Sequence, residues 1–158
     1  MATYTATQAA AGFPVHGTGP SGDLKVAFGS LNLATALAAD DVIELCKLPA
    51  GATVVGGYVM AADLDTGTEA LDIDIGWLAN DTEVADPDGF GNFGVWTGDT
   101  VTGIIPVAGH WKPLQGVLLT AGPKTFTAET KIAADVNAAA GTYAAGVMTV
   151  VVHYVFNQ

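Results

Sequence analysis

The residues best suited to chemistry are carboxylates, and one of them stands in a short polar turn. The run Leu64-Asp65-Thr66-Gly67-Thr68 places an aspartate between an apolar residue and small polar residues. Two carboxylates that share a proton can hydrolyse an amide bond, because one polarises water while the other donates to the carbonyl. A chain with a single aspartate of this kind needs a dimer to supply the second. The same letters are also typical of a turn that opens a strand.

The Asp-Thr-Gly-Thr run resembles the active-site turn of aspartic proteases, but the resemblance covers only these few residues. The chain offers no convincing partner for the second motif of that family, which is two apolar residues followed by glycine. Leu71, Ile73 and Ile75 begin an alternating pattern soon after the run. We therefore interpret the run as a turn and keep a dimeric aspartic protease through Asp65 as an alternative.

The other candidate ligands lie in positions that do not match known sites. The acidic stretch 81–89 carries oxygen atoms that could bind calcium, but counted from Asp86 its fifth and twelfth residues are Phe90 and Thr97, which excludes an EF-hand loop. A solvated turn is the preferred interpretation. Cys46 lies in an apolar run and is expected to be a packing residue. The three histidines lack the spacing of a zinc site: His16, His110 and His153. We expect no enzyme, no cofactor and no metal.

Charge and composition favour a protein that assembles with other proteins. The net charge is -11, with sixteen acidic residues against five lysines and no arginine, so we expect no nucleic-acid partner. Hydrophobic residues make up 50% of the chain and charged residues 13%, so much apolar surface must be covered by the core or by other subunits. No run approaches the roughly 18 apolar residues of a membrane span. The N-terminus lacks the features of a signal peptide, so we expect synthesis in the cytoplasm and no membrane partner.

Nearly all structural signals along the chain predict strands. Leu71, Ile73 and Ile75 alternate with Asp72 and Asp74, which indicates a strand with one apolar and one acidic face. The run 147–156 is apolar almost throughout, which indicates a strand covered on both sides. Further strands are predicted at 26–33, 42–48, 53–61, 117–120 and 126–132, and the alanine-rich runs 33–40 and 132–140 as single turns. The sequence predicts an all-β, jelly-roll-like two-sheet β-sandwich.

Two parts of the chain are candidate contact regions. Residues 1–23 are small, polar and rich in glycine, so they predict an extended N-terminal arm before a single domain at 24–158. The section 77–116 is glycine-rich and predicted to be a long loop. Large aromatic side chains in such sections are typical of protein contacts. The predicted oligomer or capsid contacts are Tyr4, Phe13 and Val15 in the arm and Phe90, Phe93, Trp96 and Trp111 in the loop section.

One central part of the sequence resembles a known family. The run LCKLPAGATVVGGY at 45–58 is followed by DLDTGT, LDIDIG, DGFGN and LLTAGP at 63–68, 71–76, 88–92 and 118–123. This order is similar to that of small virion structural proteins of tailed bacteriophages, among them decoration or cement proteins. The resemblance implies a jelly-roll homotrimer on the outer capsid surface, with the major capsid protein as partner and no enzymatic site. Alternatives are another head or tail component, and a carbohydrate-binding jelly roll that uses Trp77, Trp96 or Trp111.

Overall fold

The structure is a computed structural model and describes residues 1–12, 23–96 and 109–156. Two short helical segments occur in these ranges, a 3-10 turn at Thr7–Ala9 and the helix α1 at Val117–Thr120. No helix within the described ranges is long and apolar enough to cross a membrane. The strands are β1 (Thr3–Thr5), β2 (Lys25–Leu33), β3 (Val42–Leu48), β4 (Ala52–Ala62), β5 (Asp72–Trp77), β6 (Asp86–Gly91), β7 (Gly109–Pro113), β8 (Lys124–Thr125), β9 (Thr130–Ala138) and β10 (Gly146–Phe156).

The strands form two sheets that face each other across one core. The first sheet has the order β1-β3-β9-β5-β6, and the second has the order β2-β10-β4-β7, with β8 paired to β4. The antiparallel pairs are nested: β2 with β10, β3 with β9, β4 with β7 and β5 with β6. These eight strands therefore form one long hairpin rolled into two layers, which is the jelly-roll arrangement, and the short strands β1 and β8 are additions to it. The predicted all-β sandwich is confirmed.

The core is built by alternate residues of the facing strands. Ile73 and Ile75 of β5 are fully buried, as the alternation with Asp72 and Asp74 predicts. From the other sheet, Val150 and Val152 of β10 point into the same core and are also fully buried. The central strands of both sheets are thus fixed by the hydrophobic pattern of the sequence.

Two elements differ from the sequence prediction because tertiary contacts override local preference. The alanine-rich run 132–140 is predicted as a turn, but its residues 132–138 belong to β9, which pairs with β3 on one side and β5 on the other. The hydrogen bonds of two neighbouring strands outweigh the helical preference of alanine there. The apolar run 117–120, predicted as a strand, is the helix α1. Gly116 precedes it with φ 45°, a left-handed conformation that turns the chain away from an extended path.

Strand limits also differ in the second half of the chain. The predicted strand 126–132 begins at Thr130, and Phe126 is a core residue that lies outside any strand. The section 77–116 contains β6 and β7 as well as residues 97–108, which lie outside the described ranges. Proline, glycine and aspartate are depleted in strands, and β6 consists mainly of these residues, so the sequence pattern did not predict it as a strand.

The start of the chain lies on the first sheet of its own domain. β1 pairs in parallel with β3, and the backbone N–H of Ala2 donates to the Asp41 carboxylate at 2.6 Å. Ala6 and Ala9 are fully buried beside this strand. Residues 13–22 lie outside the described part of the chain, and the predicted contacts Phe13 and Val15 with them.

Candidate interaction surface

Asp65, the candidate catalytic carboxylate, joins two loops at one end of the sandwich. Its side chain is 1% exposed. One oxygen, Oδ2, accepts the backbone N–H groups of Ala70, Leu71 and Gly141 at 2.8, 3.2 and 2.8 Å, and Oδ1 accepts that of Thr142 at 2.8 Å. The sequence predicted the turn after Asp65. It gave no sign that the turn is tied to residues far along the chain.

These hydrogen bonds determine what the Asp65 carboxylate can do. Burial raises the free energy of the ionised form, but the four backbone N–H groups outweigh that cost and lower the pKa of Asp65 to about 2. A carboxylate that accepts four backbone donors has little capacity left to bind and orient a water molecule. The geometry of Asp65 is that of a structural clamp between loops.

The acidic stretch after β5 is organised as a turn. The side-chain oxygen Oδ1 of Asn80 accepts the backbone N–H groups of Thr82 and Glu83, both at 2.8 Å. This pattern is the side-chain-capped turn that asparagine commonly forms. Within the described residues, no group of three or more histidine, cysteine, aspartate or glutamate side chains is arranged to hold a metal ion.

Several of the large aromatic side chains fill the interior. Trp77, Phe90 and Phe126 form a cluster of edge contacts with ring centroids 5.1 to 6.3 Å apart. The Lys124 ammonium lies 4.9 Å from the Trp77 ring centre. Trp96 is 1% exposed, and its indole N–H donates to the Ile73 carbonyl at 2.7 Å. The side chains of Phe90 and Trp96 are thus already covered by their own chain before any partner is present.

The remaining predicted contact residues lie nearer the surface. Tyr4 on β1 and Phe93 after β6 are half-buried and pack against the edge of the core. Trp111 on β7 is 50% exposed, and its ring lies 5.9 Å from that of Tyr58. A contact of Tyr4, Phe93 or Trp111 with another protein stays a prediction.

An exposed apolar area lies on the outer side of the second sheet. The strand registers place Val151 opposite both Phe28 and Tyr58, and Met60 opposite both Thr149 and Trp111. These pairs form continuous rows across the four strands. We call this area the apolar face and define it by the residues Val26, Phe28, Tyr58, Met60, Trp111, Val147 and Val151.

Among the residues that the structure describes, the outward positions of this sheet include no carboxylate and no lysine. By alternation along β2, β10, β4 and β7, the other outward residues include Ser30, Asn32, Thr149, His153, Val155, Thr53, Gly56, Ala62 and Pro113, and Val55 is 43% exposed at the irregularity of β4. Four residues of the apolar face expose large side chains by similar fractions: Val26 46%, Phe28 47%, Trp111 50% and Val147 47%. A contiguous exposed apolar patch of this kind is typical of a protein contact.

The outer side of the first sheet has the opposite character. The acidic face, as we call it, consists of Glu44, Asp72, Asp74, Asp88 and Asp135 on four neighbouring strands. Two lysines lie on the same side at paired positions: the Lys131 ammonium on β9 lies 2.8 Å from the Glu44 carboxylate, and the Lys47 ammonium on β3 lies 3.5 Å from the Glu129 carboxylate. The two faces of the sandwich thus separate acidic from apolar surface.

The carboxylates of the acidic face lie close enough to affect one another. Burial is the main cause that raises the pKa of Asp74, and the negative charges of Asp72 and Asp88 raise it further. Burial likewise raises the pKa of Asp135, with a smaller contribution from Asp40. Asp74 is only 4% exposed, and its carboxylate accepts hydrogen bonds from the Phe93 backbone N–H and the Asn137 side-chain amide.

The sequence pattern did not reveal the apolar face. Its residues come from four separated segments, and only the strand registers bring them together. One signal in the sequence pointed toward it: the run 147–156 is apolar almost throughout, as in a strand that is covered on both sides. The core covers one of those sides.

Comparison with known proteins gives matches in structure only. The sequence matches no known protein family and no curated protein. A chain in the solved capsid of Ralstonia phage GP4 superposes with a TM-score of 0.76 at 19% identity, and the match covers 99% of each chain. A chain in the capsid asymmetric unit of cyanophage Pam1 superposes with a TM-score of 0.61 at 26% identity, covering 95% of each chain. The chain therefore shares its whole fold with chains found in phage capsids.

Proposed function

We propose that this chain is a structural protein of a tailed-phage head that decorates and stabilises the outer surface of the capsid. The observation that carries the proposal is the full-length match of the jelly roll to chains in two solved phage capsids. The partners are further copies of the chain, as a homotrimer, and the shell of major capsid protein. The role requires no chemistry, since area buried across joints between shell subunits is enough to stabilise them.

The charge distribution supports the outer surface of the head. The inner surface faces packaged DNA, and a chain of net charge -11 without arginine is repelled by phosphates. The acidic face suits a surface that meets solvent, because Asp88 is exposed and Asp72 and Asp135 are half-buried, so water and counterions can reach their carboxylates. An outer position therefore agrees with both the net charge and its location on the fold.

The geometry gives less support to a protease or to a sugar-binding protein. The Asp65 carboxylate is saturated by backbone N–H groups, which disfavours an aspartic protease. A carbohydrate-binding platform needs exposed aromatic rings, but Trp77 and Trp96 are buried and Trp111 alone of the three is open on the surface. Another head or tail component remains the closest alternative to decoration.

The test is binding of the purified chain to heads of its own phage that were assembled without it. Expanded heads and unexpanded precursors are incubated with the chain and separated by density-gradient centrifugation. We expect saturable binding to expanded heads and raised resistance of those heads to heat. Free phage DNA serves as the control ligand, and we expect no binding to it.

Two results would contradict the proposal. One is absence of the chain from the head fractions at all concentrations. The other is incorporation that occurs only when the chain is present during shell assembly, with the bound chain inaccessible to antibody on intact heads, since this indicates an internal or shell-forming role.

A further inference from the structure

The second sheet has an unusual distribution of apolar residues for a surface sheet. Its central strand β10 buries Met148, Val150 and Val152 in the core, and the residues between them include Val147 and Val151 on the outer side. An antiparallel sheet with one solvated side normally alternates apolar and polar residues. Three of the five outward residues of β10 are valines and the other two are Thr149 and His153, so this outer side is mainly apolar and carries no carboxylate or lysine.

The first sheet provides an internal comparison. In β5 the buried Ile73 and Ile75 alternate with Asp72 and Asp74, so the outer side of this strand carries carboxylates, of which Asp72 is half-buried and Asp74 is only 4% exposed. Both sheets belong to one molecule and experience the same solvent. The difference between them therefore indicates that the apolar face is covered by a partner and the acidic face is not.

Charge identifies the partner that fits this face. Copies of a chain with net charge -11 repel one another, and the repulsion is smallest where the surfaces in contact carry no charge. The outward positions of β2, β10, β4 and β7 carry none of the acidic residues in the described chain. Large aromatic and methionine side chains, here Tyr58, Met60 and Trp111, are typical of the centre of protein contacts, and contacts between identical subunits are more apolar than those between other partners.

The sheet edges are less suited to association. The free edge of the first sheet at β6 contains Asp86, Pro87 and Asp88, a combination that discourages strand addition. At the β2 edge of the second sheet, the Ser30 N–H already donates to the Gln8 side chain at 3.4 Å. Contact through the broad side of the sheet is therefore favoured over pairing at an edge.

We propose that the apolar face is buried against a second copy of this chain, and that it forms the contact between subunits of a homo-oligomer. The contact between copies does not depend on the proposed head function. Only the later binding of the oligomer to the shell rests on that function. Met60, Trp111 and Val151 thereby take a subunit-contact role, which the sequence did not suggest for Met60 or Val151.

The test compares solution masses by light scattering on a sizing column over a hundredfold range of concentration, without heads. The variants Met60→Glu and Val151→Glu each place a carboxylate in the middle of the face. Val84→Glu is the matched control, because Val84 is 83% exposed and lies outside the face. We expect the wild type and Val84→Glu to form oligomers of the 16.0 kDa chain. For each face variant we expect the concentration at which the oligomer dissociates to be at least roughly 100-fold higher than for the wild type.

The outcomes separate this inference from the proposed function. A monomeric wild type at all concentrations, or face variants with unchanged mass, would overturn the inference, whatever the binding to heads. Face variants that keep their mass but no longer bind heads would place the shell on this face and overturn it as well. If a glutamate variant fails to unfold cooperatively, Thr149→Lys replaces it, since the half-exposed Thr149 can accept a long flexible side chain, and the same masses decide the question.

Discussion

Replacing Asp65 by asparagine tests how the loops at one end of the sandwich are held. The change keeps the size of the side chain but removes its charge and one of its two acceptor oxygens. In the wild type these oxygens accept the N–H groups of Ala70, Leu71, Gly141 and Thr142. In Asp65→Asn the new amide N–H₂ points at backbone donors, so at least one buried N–H loses its acceptor.

The size of the effect follows from the pKa and from the hydrogen bonds. Lowering the pKa of Asp65 from 3.8 to about 2 corresponds to about 2 kcal/mol of folding free energy at neutral pH. The variant also leaves at least one buried backbone N–H without an acceptor, which costs further free energy. Together the two effects should destabilise Asp65→Asn by about 3 kcal/mol. For a chain of this size that is a fall in Tm of roughly 6 to 12 °C.

The pH dependence of this stabilisation has the same origin. The folded pKa of Asp65 is below the unfolded value, so the unfolded state binds more protons between pH 3.8 and about 2. The stabilisation is therefore complete above about pH 4 and is lost as the pH falls toward 2. The stability difference between wild type and Asp65→Asn must shrink over that range. Comparison with the variant cancels the contributions of Asp74 and Asp135, whose raised pKa values act in the opposite direction.

The assay is urea unfolding followed by tryptophan fluorescence at several pH values from 7 to 2. Asp81→Asn is the matched control, because Asp81 lies exposed in a turn and its replacement should change the stability by less than about 0.5 kcal/mol. If Asp65→Asn unfolds at the same urea concentration as the wild type at pH 7, the carboxylate is not a clamp. A stability difference that stays constant down to pH 2 would refute the assignment of the low pKa to Asp65.

Three further predictions concern the packing of the two sheets. Gly29→Ala should destabilise the chain by about 3 kcal/mol in urea unfolding, because a Cβ at Gly29 would overlap the Leu45 carbonyl oxygen on β3. Unchanged stability would show that β2 and β3 do not approach this closely. Cys46 is fully buried, and burial raises the pKa of its thiol to about 12. At pH 8 a thiol reagent should therefore label Cys46 only as fast as the chain unfolds. Rapid labelling of the folded chain would contradict this. The Asp41 carboxylate accepts the Ala2 N–H and so holds β1 in place. Asp41→Asn should therefore speed hydrogen exchange of the Ala6 N–H, which donates to the Glu44 carbonyl. Unchanged exchange would mean that β1 is held by its strand pairing alone.

The elements with a strict two-residue period could be predicted from the sequence. The alternation of isoleucine and aspartate in β5 and the valine-rich β10 fix both the strands and the layer to which they belong. β9 could not be predicted in the same way, since its alanines favour a helix and only the strands on either side make it extended. The fold class was therefore accessible, while the exact strand limits depended on partners distant in sequence.

The candidate surface was less accessible than the fold. Met60, Trp111 and Val147 are ordinary residues when each is considered in its own segment, and single exposed apolar residues carry no information. Their meaning depends on the registers that align β10 with β2 and β4, and β4 with β7. Phe90 and Trp96 show the converse: aromatic side chains among glycines suggested an exposed contact, but the folded chain covers them. The position of an aromatic residue among glycines does not reveal whether other segments of the same chain will cover its side chain.

The most direct test of the proposed function is an electron cryo-microscopy comparison of heads of the encoding phage assembled with and without this chain. We predict that the difference density appears on the outer capsid surface, has the shape of the two-sheet jelly roll, and returns when the purified chain is added to heads that lack it. Difference density inside the shell, in the tail, or in the continuous floor of the capsid would contradict a decoration role.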